Sequence, residues 1–487
     1  MHLSRSKCIF LLVALPILAF FHVVFYPFVR YDDYLLVYEN PLVFTHTLGA
    51  FFHMFQSFDP ELYIPLTIFS FSIEEWFLGM HAWHFHLVNL LLHSINVALV
   101  FLLFERCGMK RLAVFLAAAI FAVHPLQVET IAWVSSRKDL LAAVFFFGAL
   151  LAYPPLSQRG LAWRTVCSWF LFLLSLLSKV SLLILPVILL FYVRLRTKAC
   201  SDRQKFSLAS FFLLSCIFGA VALVPKLHTM SLLSGVDVAL LASKNIVVAI
   251  QKFLLPINLS FVHPQMSFMA LQSPEFLFPA ILCIALGIFL YQNRTTATGM
   301  ALGFFLVTLS PTFLSFARGS GALYLTEKYL YVPLVGLCYL GGKLLSTFLI
   351  TLRAGPRFLR VAAVAAVYVA FLVVAVCQSF TWRSTEAIAQ KGIEVHPAWM
   401  FLYYDLGAAY EEQGRHRLAL EAYERGLELH QQFREQHRIW GMELLEKGYA
   451  ESARREFTLA ERREHAIGIV QEAISRLHTR IAETSGQ

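Results

Sequence analysis

The sequence predicts an all-α protein, with a polytopic helical membrane domain over residues 1–380 and a short helical-repeat domain over residues 381–487. Hydrophobic residues make up 58% of the chain and charged residues 15%, against about 45–50% and about 25% in soluble globular proteins. The mean hydropathy of +0.64 agrees with this composition. Together these values exclude a soluble enzyme with a fully water-exposed surface.

Eleven apolar runs predict the membrane-spanning helices. A bilayer core about 30 Å thick needs roughly 20 apolar residues, because a helix rises about 1.5 Å per residue. Runs approaching this length lie near residues 8–29, 85–104, 112–124, 139–153, 165–178, 180–193, 206–224, 276–292, 298–316, 327–350 and 358–380. The first run has no small-residue cleavage site at its end, so we expect it to remain as an uncleaved span.

The distribution of charge predicts the orientation of these spans. Residues 1–380 carry 26 Lys and Arg against 14 Asp and Glu, whereas residues 381–487 carry 14 against 17. With the N terminus inside, the cytoplasmic segments hold 16 of the basic residues and two acids, as the positive-inside rule requires. The net charge of +9 therefore reports topology, and no nucleic-acid partner is predicted.

The same topology places two large loops and the C-terminal domain outside the cytoplasm. The first loop covers about residues 30–84 and the second about residues 225–275. The second loop is less uniformly apolar, because Lys244 and Lys252 interrupt it. We expect it to contain an interfacial helix, and a hairpin through the membrane is the alternative.

Residues 381–487 repeat with a period of 34. Leu406, Gly407, Tyr410, Gly414, Ala419, Tyr423 and Gly426 are followed at that offset by Trp440, Gly441, Leu444, Gly448, Ala453, Phe457 and Ala460. This pattern resembles the tetratricopeptide repeat, in which small and aromatic residues interlock paired helices. It predicts about two and a half units, with a half-unit helix at 384–396 and a capping helix at about 467–482. A generic amphipathic bundle is the alternative.

Two adjacent carboxylates, Asp32 and Asp33, directly follow the first span. Carboxylates at a membrane boundary are costly unless they are solvated, paired or used. Neighbouring like charges raise one pKa and favour proton transfer by one member. We therefore expect a general base, a metal ligand or one of each, and a divalent metal at the pair stays open. The alternative is a solvated loop start.

Basic residues lie on the same predicted face, where the positive-inside rule disfavours them. Arg137 and Lys138 begin an apolar span, and both residue types bind phosphate well. They are therefore candidates to hold a lipid phosphate, with snorkelling or a salt bridge to Asp139 as the alternative. Further basic residues at external boundaries are Lys179, Arg318 and Lys328. The remaining candidate site residues are Glu129, Asp139, Glu327 and Tyr331.

Polar residues also recur within the second span. His86, Asn89, His93 and Asn96 are separated by 3, 4 and 3 residues, so they share one helix face. A ligand or proton path is one interpretation. Hydrogen bonds between neighbouring helices are favoured, because Asn and His commonly join helices within membranes.

Several of these segments occur in the order typical of one protein family. They are Asp32-Asp33 with Asn40-Pro41, Tyr63–Thr67, Phe85–His93, His124-Pro125 with Val128-Glu129, Trp133–Asp139 and Glu327–Pro333. The ordered set resembles the transmembrane-and-tetratricopeptide O-mannosyltransferase-like family, within the wider GT-C glycosyltransferases. The resemblance covers roughly residues 30–335, and the repeats follow where that family has them.

The resemblance implies a GT-C-like fold and a membrane glycosyltransferase. Its donor would be a polyprenyl- or dolichyl-phosphate-linked sugar, bound from the external leaflet and used for O-mannosylation or a related hexosyl transfer. A first-loop acid, Asp32 or Asp33, would be catalytic, and Arg137, Lys138, Arg318 or Lys328 would hold the donor phosphate. The acceptor hydroxyl would belong to a protein Ser or Thr.

The repeats bear on partner and location. We expect the repeat domain to recruit the acceptor protein, and membrane lipids surround the rest. Animal members of the family carry many more repeats, so the short array favours a bacterial inner-membrane protein with a periplasmic tail. An ER membrane protein with a lumenal tail is the alternative. A lipid or glycolipid transporter, or a scaffold acting through its repeats, are the competing functions.

Overall fold

The structure is a computed structural model of the 487-residue chain. The residues that it describes are 4–58, 62–154, 162–196, 202–226, 234–265, 269, 271, 273–315, 323–351, 356–446, 450–461 and 464–485.

The described chain is helical almost throughout, which confirms the predicted all-α class. The helices before residue 381 are α1 (Arg5–Phe20), α2 (Pro41–Phe44), α3 (Leu48–Met54), α4 (Pro65–Leu78), α5 (Ala82–Arg106), α6 (Arg111–Val123), α7 (Val128–Ala132), α8 (Arg137–Ala152), α9 (Ala162–Ser178), α10 (Leu185–Arg196), α11 (Asp202–Leu223), α12 (Gly235–Leu254), α13 (Pro274–Asn293), α14 (Ala297–Leu309), α15 (Leu334–Thr351) and α16 (Arg357–Ser379). The exception is a small antiparallel pair, β1 (His263–Pro264) with β2 (Leu323–Leu325).

Shorter turns of helix connect these elements. Single 3-10 turns are Phe21–Phe25, Pro125–Gln127, Val134–Ser136, Val180–Leu182, Val224–Lys226, Ser310–Ser315, Glu327–Leu330 and Phe380–Arg383, and Tyr34–Tyr38 forms a π turn. The turn at Pro125–Gln127 interrupts a potential span, because α6 and the segment after His124 differ in direction by 51°. Proline lacks the N–H that would continue the helical ladder.

In the described chain, fewer helices than the eleven predicted spans are long and apolar enough to cross a membrane by length and composition. Each predicted apolar run does coincide with helix, but five helices in the described chain are long and apolar enough to cross a membrane, or six if the bent pair counts as one span. The others, α8, α9, α10, α14 and α15, contain 12 to 18 residues. At about 1.5 Å per residue they are shorter than the bilayer core of about 30 Å. The five long apolar helices make the chain an integral membrane protein.

The core of the membrane domain forms where α5, α6, α8 and α15 pack together. A Cβ atom added to Gly342 on α15 would lie 2.5 Å from the Cβ of Ala117 on α6, so small residues allow these helices to approach closely. The predicted bonds from the polar face of α5 are present. His93 Nδ1 lies 2.8 Å from the Tyr331 hydroxyl, and Asn96 donates to the Leu140 carbonyl at 3.0 Å.

Both long loops contain helices. Within the described part of residues 30–84 the chain forms α2, α3 and α4, and within residues 225–275 it forms α12 and β1. The side chains of Lys244 and Lys252 on α12 are buried. Lys244 donates to Gln265 at 2.7 Å and Lys252 donates to the Asn258 carbonyl at 2.7 Å. Both lysines therefore form hydrogen bonds within the second loop, and these bonds stabilise its fold.

The C-terminal part consists of α17 (Thr385–Val395), α18 (Met400–Glu412), α19 (His416–Glu446), α20 (Ala450–Glu461) and α21 (Glu464–Ser485). A Cβ at Gly407 would meet the Tyr423 ring at 2.6 Å, and a Cβ at Gly441 would meet the Phe457 ring at 2.6 Å. The same contact thus recurs 34 residues later. The two units share one 31-residue helix, α19. The tetratricopeptide interpretation and the boundary at residue 380 stay predictions.

Candidate functional site

The two adjacent carboxylates have different environments. Asp33 is fully buried, and one of its oxygens accepts from the Ser135 N–H at 2.8 Å and the Ser135 hydroxyl at 2.6 Å. Its other oxygen accepts from the Val29 N–H at 3.2 Å. Burial raises the pKa of Asp33 to about 6, although these hydrogen bonds act in the opposite direction. Asp33 therefore ties the first loop to the turn that leads into α8.

Asp32 is the accessible member of the pair. Its side chain is 40% exposed, and its Oδ2 atom lies 3.1 Å from Lys138 Nζ. Burial raises the pKa of Asp32, but Lys138, Lys328 and Lys179 outweigh burial and lower this pKa to about 2. Asp32 is thus an ionised carboxylate at neutral pH, open to solvent on one side and neutralised on the other.

Three lysines converge around Asp32. The Lys328 ammonium lies 3.8 Å from the centre of the Trp133 ring, which suits a cation over an aromatic face. Lys179 Nζ lies 2.5 Å from Asp139 Oδ1. The three cations come from the start of α8, the end of α9 and the turn before α15. Loops on one side of the helical core therefore bring them together.

A cleft beside Asp32 is lined by two of these cations. Lys179 and Lys328 lie on its walls with Asp139. The hydroxyl-bearing residues of its lining are Ser181, Thr308, Thr312, Tyr329 and Tyr331. We call this feature the lysine cleft. Ammonium and hydroxyl groups suit an anionic group with several oxygen atoms, such as a phosphate.

Arg137 faces the protein interior, and its predicted role at the donor phosphate stays a prediction. The side chain is 1% exposed and forms an ion pair with Glu74. Its Nε donates to Asn89 Oδ1 at 2.5 Å and its Nη2 to the Phe85 carbonyl at 2.8 Å. The guanidinium is therefore occupied by the protein interior. Arg318, the other predicted arginine, lies outside the described residues.

Three of the remaining predicted residues, Glu129, Glu327 and Tyr331, are buried and form hydrogen bonds close to Lys328. Glu129 is buried and accepts from the backbone N–H of Lys328 at 3.2 Å. Glu327 is buried and accepts from the Ser260 N–H at 2.9 Å. Tyr331 is 1% exposed, and its hydroxyl accepts from Asn96 at 3.1 Å. These groups fix the chain around Lys328.

Two further residues lie at the site although the sequence pattern did not point to their contacts. Lys179 was noticeable as a cation on the external side, but nothing in the sequence placed it beside Lys328. Glu74 lies in the first loop and pairs with both Arg137 and His84. Among the described residues no group of three or more His, Cys, Asp or Glu side chains is arranged to hold a metal ion.

No protein-family model matches the chain. In sequence it is similar to the protein O-mannosyl-transferase TMTC1 of Mus musculus, with 35% identity over 118 residues, 23% of this chain and 12% of the relative. It is 37% identical over 114 residues to TMTC2 of Mus musculus, 22% of this chain and 13% of the relative. It is 41% identical over 105 residues to TMTC4 of Homo sapiens, 19% of this chain and 14% of the relative.

These comparisons confirm the predicted resemblance over about a fifth of the chain. The chain matches between 12% and 14% of the length of these three relatives. Among solved structures, ArnT from Cupriavidus metallidurans, bound to undecaprenyl phosphate, is similar with a TM-score of 0.39 and 14% identity. That similarity covers 82% of this chain and 80% of ArnT.

Proposed function

We propose that this protein is a membrane glycosyltransferase that moves a sugar from a polyprenyl- or dolichyl-phosphate carrier to an acceptor hydroxyl. The observation that carries the proposal is a solvent-accessible carboxylate, Asp32, paired with Lys138 beside the lysine cleft. Resemblance to O-mannosyltransferases supports mannose as the sugar and a protein Ser or Thr as the acceptor. The undecaprenyl phosphate of ArnT is the kind of lipid that the cleft would hold.

The chemistry assigns a role to each charge. The acceptor oxygen attacks the anomeric carbon of the sugar, and Asp32 takes the hydroxyl proton. The bond between that carbon and the phosphate oxygen breaks, and the lipid phosphate leaves with the electron pair. Lys138, Lys179 and Lys328 stabilise the developing negative charge, which is usually the largest catalytic contribution. A bound phosphate is a second anion beside Lys138. Lys138 then stabilises the ionised form of Asp32 less, so the pKa of Asp32 rises and Asp32 becomes a stronger base.

The site would lie on the extracytoplasmic face of the membrane. We favour a bacterial inner membrane with the helices α17–α21 in the periplasm, and the ER membrane with these helices in the lumen is the alternative. The repeats would recruit the acceptor protein through their concave surface. The surrounding bilayer supplies the lipid-linked donor, which enters from the outer leaflet.

The test is direct transfer by the purified protein. The detergent-solubilised protein is incubated with polyprenyl-phosphate mannose and a Ser/Thr-containing peptide, and with the glucose and galactose donors in parallel. Glycopeptide and lipid phosphate are expected in equal amounts for at least one donor. Lipid movement across vesicles without glycopeptide from any donor would contradict the proposal and favour a transporter.

Neutralising either cation of the lysine cleft is expected to weaken donor binding. Lys328→Gln and Lys179→Gln each remove a charged hydrogen-bond donor to phosphate, so the KM for the lipid donor should rise about tenfold or more. The KM for the peptide should stay unchanged. Lys343→Gln is the matched control, because Lys343 is exposed on α15 and bonds Thr298. An unchanged donor KM in both cleft variants would remove the cleft from the proposal.

Removing the partner of Asp32 is expected to change the pH profile of kcat/KM. In the free protein the pKa of Asp32 is about 2, so Asp32 should cause no loss of activity on the acid side between about pH 5 and pH 8. Lys138→Gln removes the cation that lowers this pKa most, so the pKa rises and the acid limb of the profile should move to higher pH. The profiles are followed down to about pH 3, and an acid limb that lies at the same pH in Lys138→Gln and in the wild type would contradict the assignment of Asp32 as the base.

A further inference from the structure

Asp139 on the wall of the lysine cleft has one paired and one unpaired carboxylate oxygen. The residue is 9% exposed, and its Oδ1 atom lies 2.5 Å from Lys179 Nζ. Its Oδ2 atom is buried and has no hydrogen-bond partner among the described residues. Because a buried acceptor without a donor is unfavourable, this oxygen is suited to accept a hydrogen bond from a ligand in the cleft.

The helix α8 holds Asp139 in a fixed position. Asp139 lies in the first turn of α8, where the positive end of the helix dipole stabilises a negative charge. Ala142, one turn further along the helix, lines the same cleft, and its carbonyl accepts from the Ser175 hydroxyl of α9 at 2.9 Å. The small side chain of Ala142 takes little room beside the carboxylate. The unpaired oxygen therefore belongs to a rigid wall with space next to it.

Two hydroxyl groups of the cleft are engaged elsewhere. The Thr308 hydroxyl donates within its own helix, to the Phe304 carbonyl at 2.7 Å. The Tyr331 hydroxyl lies 2.8 Å from His93 Nδ1 and 3.1 Å from Asn96 Nδ2. Neither hydroxyl serves the unpaired oxygen, which leaves its hydrogen-bonding capacity to a ligand.

A carboxylate in a cleft for anions distinguishes two kinds of ligand. A bare phosphate presents mainly acceptor oxygens and a like charge, which Asp139 repels. A sugar phosphate adds hydroxyl donors beside the phosphate, and hydrogen bonds to an ionised acceptor are strong. We propose that Asp139 determines donor specificity by accepting a hydrogen bond from a hydroxyl group of the donor sugar, while Lys179 contacts the donor phosphate. This inference rests on the proposed function.

The experiment compares ligands that differ by one hydroxyl group, on the whole chain in detergent. The ligands are polyprenyl-phosphate mannose, its 2-, 3-, 4- and 6-deoxy analogues, and polyprenyl phosphate without a sugar. Their dissociation constants are measured by isothermal titration calorimetry. Transfer from the same donors to a Ser/Thr peptide is measured in parallel.

The variants separate the acceptor from the ion pair. Asp139→Ala removes both oxygens, and Asp139→Asn is the second variant, because it keeps the size of the side chain. Lys179→Gln breaks the same ion pair but leaves the carboxylate in place. Asp202→Asn is the surface control, since Asp202 forms an exposed ion pair with Lys205 at the start of α11.

In the wild type we expect at least one deoxy analogue to bind about tenfold or more weakly than the mannose donor, because a hydrogen bond to a charged acceptor is lost. Asp139→Ala should bind that analogue and the mannose donor equally well, whereas Lys179→Gln and Asp202→Asn should keep the preference. Polyprenyl phosphate should bind more tightly to both Asp139 variants than to the wild type, because a like charge is removed.

A preference that persists in Asp139→Ala would overturn the inference. Its loss in Lys179→Gln as well would also overturn it, because the effect would then come from the ion pair. A wild type that binds all deoxy analogues as well as the mannose donor would do the same. If the wild-type protein transfers no sugar, the proposed function fails, and the dissociation constants still decide whether Asp139 recognises a sugar hydroxyl.

Discussion

Asp32→Asn is expected to lower the rate of sugar transfer by about 10²–10⁴-fold, the range for loss of a positioned base. The substitution keeps the size of the side chain and an oxygen facing Lys138, but an amide cannot accept the proton. Lys138 is only 3% exposed and would lose the charge that it pairs with, so the apparent Tm should fall as well. The measurement is the initial rate of glycopeptide formation at saturating donor, with the apparent Tm recorded in the same detergent.

Asp33→Asn is the matched comparison, since it makes the same chemical change one residue later. Its amide would present N–H where the Val29 N–H now donates, so one buried donor would lose its acceptor. We expect a loss of about 1–3 kcal/mol in stability, with a smaller loss of activity in the protein that remains folded. The opposite pattern, with an active Asp32→Asn and a folded but inactive Asp33→Asn, would assign the base to Asp33.

The sequence could not separate these two residues, because their difference arises from contacts distant in the chain. Asp33 is buried by Ser135, which lies 102 residues away, and adjacent side chains on a loop point in different directions. The hydrogen-bonding face of α5 was predictable from spacing alone, because helical periodicity places His93 and Asn96 together. Patterns that depend on one element are readable in sequence. Patterns that depend on the meeting of several elements are not.

Helix length shows the same limit. Apolar composition located every helix of the membrane core, but it does not determine where a helix ends. Pro125 breaks one run, so that α6 ends at Val123. In the C-terminal part the period of 34 predicted the recurring contact of Gly407 and Gly441 with aromatic rings. It did not predict that α19 runs unbroken through two units.

Arg137→Met is expected to destabilise the protein by about 3–5 kcal/mol, because it leaves the carboxylate of Glu74 without its buried partner. Glu74 is 11% exposed and Arg137 is 1% exposed, so water cannot replace the lost interaction fully. Arg111→Met is the matched control. Arg111 also begins a helix, α6, but its side chain is 55% exposed and 4.0 Å from Glu105. The measurement is the apparent Tm of the purified variants in detergent.

Combining Arg137→Met with Glu74→Gln separates a structural role from phosphate binding. If the two side chains act as a pair, the double variant should lose less stability than the sum of the single variants, by about 0.5–3 kcal/mol. A phosphate-binding arginine predicts something different: a wild-type Tm and a raised donor KM in Arg137→Met, with no rescue by Glu74→Gln. That outcome would support the role that the sequence predicted for Arg137. A coupled loss of stability would leave the donor phosphate to Lys138 and the two lysines of the cleft.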